Sequence, residues 1–410
     1  MIRSAILAGA MLLVAGPATA QLGLPPLGDT LGRVGGVVGE TLQPVNQVAR
    51  GAGQLARDRI ARLAQLVRSN PQTIDFDENR QPARRGEVIL LDPDSAAIAT
   101  ANAAGFELIE SNRIEGLGIE FARLAVPRSR SLAKGLRDLR KLLPNKTITA
   151  DQLHFTSGAA AILSSAAAAS DASPLPRGGV LGVIDGGMRA GPRIAARRGF
   201  AKGGPIQHAH AESIASLVAG AGIERIWSAD VYGNDPAGGN AAAIAQAIGW
   251  MATNDVPVVS ISLVGPSNPL LARTIAAARG KGIVIVAAVG NDGAAAPPAY
   301  PASYAGVIAV TGVDGRGRVL IEAGKAKHLD YAAPGADLSA VTSDGRRINL
   351  RGTSYAAPLA AARIAAHRKA GASGSALFAA VDAEAAASGR KQPDRRYGKG
   401  LLCGTCRKGI

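Results

Sequence analysis

Ser354 is the side chain with the most chemical promise, set in Gly352-Thr353-Ser354-Tyr355-Ala356-Ala357-Pro358 and followed by the alanine-rich run 359–366. Gly352 and Thr353 interrupt an extended segment, and the run after Ser354 is rich in strong helix formers, so Ser354 falls at or just inside a helix N-terminus. Its hydroxyl then faces the positive end of the helix dipole. Pro358 is tolerated there because first-turn amides largely lack intrahelical acceptors. Read alone, such a serine is an N-cap. It becomes a nucleophile only with a base within hydrogen-bond reach, and that base needs a third group to hold its tautomer.

Gln207-His208-Ala209-His210 offers two histidines for that role. Ile214, Leu217, Val218 and Ala221 form one helical stripe, and His210 stands at i−4 from Ile214, so it faces inward at the start of that helix. His208 does not share the stripe. Asp185 ends the apolar run Val180-Leu181-Gly182-Val183-Ile184, a place where a carboxylate is costly without a partner. On its own it is an acid that starts a turn. Asn291 sits in Gly290-Asn291-Asp292-Gly293 after another apolar run, and in isolation that tetrad also reads as a turn.

The four segments, in the order Asp, His, Asn, Ser, resemble the subtilisin-like serine proteases, the subtilases, whose chain order differs from the chymotrypsin and α/β-hydrolase orders. Tyr300-Pro301-Ala302-Ser303-Tyr304 and Ala332-Ala333-Pro334-Gly335 resemble family segments too, and the likeness runs over about 179–402. The resemblance implies an Asp185, His210, Ser354 triad that hydrolyses peptide bonds through an acyl-enzyme. It implies an oxyanion hole made by the Asn291 amide and the Ser354 backbone N–H. Ser262-Leu263-Val264-Gly265 resembles the strand that pairs with an extended substrate.

The family pattern His-Gly-Thr-x-Val-Ala-x-x-x-x-Gly aligns on His210, with Ile214-Ala215 and Gly220 matching. The chain departs from it at Ala211-Glu212. An acid in the first turn suits the helix dipole, but a carboxylate close to His210 would raise the imidazole pKa and blunt it as a base. That departure motivates an alternative, a catalytically impaired subtilase fold that binds peptides or envelope partners; an esterase using the same triad is another. Val264 stands where the family has the first glycine of Ser-Leu-Gly-Gly, and its β-branched bulk is expected to favour small residues before the scissile bond.

Such residues need a scaffold in which strands end and helices begin along one edge. With 410 residues, 47% hydrophobic and 19% charged, the chain can bury a sizeable core and folds as more than one unit. From 180 onward, strands at 180–184, 225–231, 256–263, 282–289 and 307–313 alternate with helices at 210–218, 241–251 and 269–278, the pattern of an α/β parallel sheet covered by helices. No G-x-G-x-x-G follows the first strand, which disfavours a dinucleotide-binding domain.

The region before it has a different rhythm. Residues 87–91 read as a strand, Asp92-Pro93 as a helix start, 94–104 as the helix and Gly105 as its stop. Strands follow at 106–110 and 118–126. Ser131 caps a helix with Leu132, Leu136, Leu139 and Leu143 on one face, and 146–155 contain a last short strand. This β-α-β-β-α-β order is ferredoxin-like and similar to the inhibitory pro-domains of subtilases. The resemblance implies that 87–155 is the chain's own intramolecular inhibitor, with its C-terminal strand in the cleft. The Ala-, Ser- and Pro-rich linker 156–178 is suited to self-cleavage between Phe155 and Gly179.

Residues 1–20 read as a secretory signal, with Met1-Ile2-Arg3, an apolar stretch at 5–15 and the small-x-small site Ala18-Thr19-Ala20; an uncleaved anchor is the alternative. The protein is therefore expected to be exported, to the periplasm or outside the cell. A pro-segment, 21–86, contains a basic amphipathic helix at 45–67 with Arg50, Arg57, Arg59, Arg62 and Arg68, interrupted by Gly51 and Gly53. Such a helix lies on an anionic envelope surface or on the protein itself.

The formal charge is +15, divided as +4 over residues 1–178 and +11 over the rest, which favours anionic partners or serves solubility. No arginine-rich block interleaved with aromatics marks a nucleic-acid site. Cys403 and Cys406, the only cysteines, lie in a short tail, 403–410; after export a short-loop disulfide suits C-x-x-C better than a redox or metal role. The acids show no calcium-loop spacing, so calcium, common in the family, is not expected, nor is any other metal or cofactor. The expected species is a monomer acting on polypeptides.

Overall fold

The computed structural model describes residues 43–156, 159–160, 176–387 and 394–410; the signal at 1–20 and most of the linker at 156–178 lie outside the described residues. The chain divides into two units, Met1–Val45 and Asn46–Ile410, the first described only at its last residues. Helix α1 (Gln43–Ser69) runs through Gly51 and Gly53 without a break. Each glycine costs a helix about 1 kcal/mol relative to alanine. Leu66 and Val67 near its end pack against Ile74, Leu153 and Ala237, so tertiary contact rather than propensity sustains it.

Next come β1 (Ile74–Phe76), β2 (Pro82–Leu91), α2 (Ser95–Ala103), β3 (Glu107–Ile114), β4 (Ile119–Ala125), α3 (Leu132–Leu142) and β5 (Ile148–Gln152). β2 starts earlier than the expected 87. The cap of α2 is Asp94, whose side chain accepts the Ala97 N–H at 2.7 Å, rather than Asp92, which lies at φ 49. Ser131 caps α3 by accepting the Lys134 N–H at 3.3 Å. β5, β2, β4 and β3 neighbour one another in that order, all antiparallel, which is the ferredoxin-like arrangement.

Alternate residues of β2 face opposite sides of this sheet. Val88 and Leu90 meet α2 and α3 through Ala97, Ala101, Leu136 and Leu139, whereas Ile89 and Leu91 join Phe121 against Ala242, Ala245 and Leu270. The second face therefore has its cover in the following part of the chain.

That part opens with β6 (Phe155–Thr156) and β7 (Ala159–Ala160), then β8 (Val180–Asp185), β9 (Ile194–Gly199), α4 (Ala209–Gly220), β10 (Arg225–Asp230), α5 (Ala241–Thr253), β11 (Val258–Ile261), β12 (Leu263–Val264) and α6 (Pro269–Gly280). It closes with β13 (Val284–Ala288), β14 (Ile308–Val313), β15 (Tyr331–Pro334), β16 (Leu338–Val341), β17 (Arg347–Arg351), α7 (Thr353–Lys369) and α8 (Gly374–Ala386). Seven parallel strands form one sheet in the order β15-β14-β13-β11-β8-β10-β9. Ala356, Leu359 and Ala360 of α7 and Leu217 of α4 pack in one core with Val183 and Val286. Ile244 and Ile248 of α5 and Leu271 of α6 pack in another with Ile184 and Ile285. This is an α/β fold with a parallel sheet.

β9, at the sheet edge, is half exposed, so its sequence lacks the apolar run that marks the central strands. The residues after 402 are built into the domain. Cys403 is buried and disulfide-bonded to Cys406, and Lys408 bridges to Ser339. No described helix is long and apolar enough to cross a membrane.

Candidate active site

β8 lies between β11 and β10, so the chain leaves it in one direction and later returns on its other side. The carboxyl ends of strands at such a switch point form a crevice. Asp185 ends β8, fully buried, and its Oδ1 accepts the Gly186 N–H at 2.8 Å. Gly186 permits the close approach of α4, because a Cβ there would lie 2.4 Å from His208 Cβ. His208 is the N-cap of α4, its Nδ1 accepting the His210 N–H at 3.3 Å. His210, in the first turn, sends its ring inward. Its Nδ1 is 2.9 Å from Asp185 Oδ1 and 3.0 Å from Oδ2, and its Nε2 is 2.9 Å from Ser354 Oγ.

Gly352 holds φ 144, a value open mainly to glycine, and this turn delivers Ser354 to the start of α7. The Ser262 hydroxyl donates to the Ser354 carbonyl at 2.7 Å, and the Thr353 N–H donates to Asn291 Oδ1 at 3.0 Å. The adjacent strand and loop thus brace the Ser354 turn from two sides. The Tyr355 ring packs 5.0 Å from the His210 ring. Burial, and the Asp185 charge with it, pushes the Tyr355 and Tyr232 phenols well above their ordinary range, so both stay neutral donors at any ordinary pH.

Glu212 does not turn toward His210. Residues two apart on a helix point to different sides, and the Glu212 carboxylate accepts the Arg189 backbone N–H instead.

Ser262 and Leu263 are buried, and the strand that follows is already paired. β12 runs antiparallel to β6, with Leu263 opposite Thr156 and Val264 opposite Phe155. The Gly265 N–H donates to Tyr300 O at 2.9 Å and its carbonyl accepts from Tyr300 N at 3.1 Å. A Cβ on Gly265 would lie 2.6 Å from the His154 ring, so the ring packs directly on the Gly265 backbone. On the other side, β7 pairs antiparallel with β17, Ala159 opposite Arg351 and Ala160 opposite Leu350. A cavity of about 980 Å³ beside β12 is bordered by Phe155, Thr156, Val264, Asn291 and Asp292, and by Arg59, Arg62 and Leu63 of α1.

Two parts of this constellation had no sequence signal. Thr353 orients Asn291 through its backbone N–H, which any residue but proline could supply. His154 is fully buried, and burial lowers its pKa from 6.5 to about 4, yet nothing around it in the sequence marks it. Among the described residues, no group of three or more His, Cys, Asp or Glu side chains could hold a metal ion.

The chain matches the subtilase family over residues 203–400, a stretch that includes His210, Asn291 and Ser354 and begins downstream of Asp185. It is 30% identical over 191 residues to subtilisin Savinase of Lederbergia lenta, covering 43% of this chain and 71% of that protein. To the thermostable alkaline protease of Halalkalibacterium halodurans it is 31% identical over 196 residues, or 44% of this chain. There it spans 54% of the relative, about half its length. Among solved structures it is similar to fervidolysin of Fervidobacterium pennivorans, a keratinolytic enzyme related to subtilisin. That likeness has a TM-score of 0.64 at 14% identity, covering 82% of this chain and 62% of the other. At that identity the structural likeness speaks for the fold, while the Savinase alignment speaks for descent: the chain belongs to the subtilase family.

Proposed function

We propose that the protein is an exported serine endopeptidase, made as a zymogen, that hydrolyses peptide bonds through Asp185, His210 and Ser354. One observation carries the reading: the His210 ring bridges a buried carboxylate and the Ser354 hydroxyl, at 2.9 Å on each side. In this mechanism Ser354 Oγ attacks the scissile carbonyl carbon while His210 Nε2 takes its proton. Asp185 accepts from Nδ1–H, fixes the tautomer that leaves Nε2 basic, and stabilises the imidazolium that forms. The negative oxygen of the tetrahedral intermediate receives the Ser354 backbone N–H and the Asn291 side-chain amide, whose oxygen is occupied by Thr353. Collapse expels the amine, which takes the proton from His210. Water, deprotonated by the same imidazole, then releases the acyl group.

The segment 87–155 acts as the inhibitor in this reading. It is supported by the pairing of β6 with β12, since a strand added there occupies the edge an extended substrate would use. The chain passes from β6 on β12 to β7 on β17, and β17 ends at Arg351, just ahead of Ser354. These two pairings support a cut within 156–159, inside the interval between Phe155 and Gly179. Export is supported by the composition of residues 1–20 and by the Cys403–Cys406 disulfide.

The test is labelling of the purified full chain with a fluorophosphonate, which reacts with an activated serine. Wild type should label and Ser354→Ala should not. Equal absence of labelling, once the pro-region has been removed, would leave a subtilase fold that binds peptides without cleaving them.

A further inference from the structure

Helix α1 lies outside the ferredoxin-like unit, yet it borders the same cavity as Val264 and Asn291. The residues it contributes, Arg59, Arg62, Leu63 and Leu66, stand at i, i+3, i+4 and i+7 and so share one helix face. Arg59 Nε is 3.1 Å from Asp292 Oδ2, and Arg62 Nη2 is 2.5 Å from Asp292 Oδ1. A single carboxylate, next in sequence to Asn291, thus takes two guanidinium groups. Leu66 and Val67 pack with Ile74, Leu153 and Ala237, which fixes the C-terminal half of the helix on the same surface. Two arginines of this basic helix are therefore spent on the protein's own cleft.

We propose that α1 is a second inhibitory element, a helical cover latched by Arg59 and Arg62 to Asp292 over the substrate cavity and acting in addition to the β6 strand. It rests on the reading of this cleft as a peptidase site. The Arg59 and Asp292 side chains are 20% and 24% exposed, and Arg62 is 59% exposed, so the ion pairs are screened and individually weak. The latch is therefore reversible and sensitive to salt, while the apolar contacts at Leu66 and Val67 act as its hinge side. Loss of the latch opens the cavity without cutting the chain. Cutting at β6 alone leaves the cavity covered.

The experiment is hydrogen exchange on the full chain carrying Ser354→Ala, which cannot cleave itself. Arg59→Glu with Arg62→Glu keeps good helix formers and reverses both charges. Exchange in peptides covering 51–69 should rise by about tenfold at low salt, with β2 and β4 unchanged. Adding Asp292→Lys should restore protection, and high salt should reproduce the effect in the otherwise unaltered chain. Unchanged exchange at 51–69 after the double reversal, or failure of Asp292→Lys to rescue it, overturns the latch.

In chains that retain Ser354, the double reversal should speed fluorophosphonate labelling at low salt, as a cover requires. Equal labelling rates overturn the inhibitory role even where the exchange differs. No labelling in any chain, with the exchange differences intact, instead strikes the peptidase reading and supports the docking of α1.

Discussion

Asp151→Asn probes how the ferredoxin-like unit is held against α5. Asp151 is 2% exposed. Its Oδ1 accepts the Ala242 N–H in the first turn of α5 at 2.9 Å, and Oδ2 is 4.0 Å from Arg84 Nε. Arg84 is itself paired to Asp235. Burial outweighs these partners and pushes the Asp151 carboxyl from 3.8 up to about 6, a change worth about 3 kcal/mol. Because the docked pKa is raised, this opposition to docking is absent below about pH 4, grows as pH rises, and is complete above about pH 6.

His154 has the reverse sign. Burial lowers its pKa from 6.5 to about 4, so it opposes docking only as the pH falls through that interval. Both oppose docking in the native chain, but across mildly acidic pH one grows as the other fades, so their pH dependences largely offset each other. Asn at 151 keeps an acceptor for the Ala242 N–H and removes the charge. In the Ser354→Ala background, β5 amides should exchange about a hundredfold more slowly near neutral pH than with Asp151. The difference should vanish near about pH 4. Relative to fully unfolded rates, protection in the Asn variant should climb between about pH 4 and 6.5, the trace of His154 alone. Faster exchange in the Asn variant near neutral pH would refute the reasoning, since it would mean that the ionised carboxylate, through Arg84 and the α5 N-terminus, is a net stabiliser.

His210→Ala should lose nearly all hydrolysis, while His208→Ala keeps most of it at a stability cost of about 1 kcal/mol from the lost cap; peptide turnover and thermal unfolding on the two variants separate these roles. Mass spectrometry of the expressed wild type should find a new terminus within 156–159 that Ser354→Ala lacks, and equal processing of both would assign the cut to another protease. Val264 borders the cavity with its methyls 3.5 and 3.7 Å from where a Gly290 Cβ would stand. Val264→Gly should therefore shift kcat/KM from alanine toward phenylalanine before the scissile bond, by about 10- to 100-fold; an unchanged ratio removes Val264 from that role.

Much of the scaffold was legible without coordinates because its signals are local. A cap such as Ser131 acts within one turn, and the inward stripe of His210 and Ile214 repeats with the helix. The central strands are buried on both faces and so spell themselves as continuous apolar runs. Asp185, His210 and Ser354 each sit at an element boundary that propensity marks, but it was the order of their segments, resembling the subtilases, that singled them out together. What the fold alone decided involves partners far apart in the chain or choices between near-equal local states. Glu212 looked adjacent to His210 in sequence, but the helix turns it to Arg189. The sequence points to Asp92-Pro93 as the start of α2, but in the fold the cap is Asp94, which accepts the Ala97 N–H. The pairing of Thr156 with Leu263, and of Arg59 with Asp292, closes loops of a hundred residues or more. No window of sequence records which strand edge or which carboxylate a distant segment will meet, because that is fixed by the shape of the whole surface buried between them.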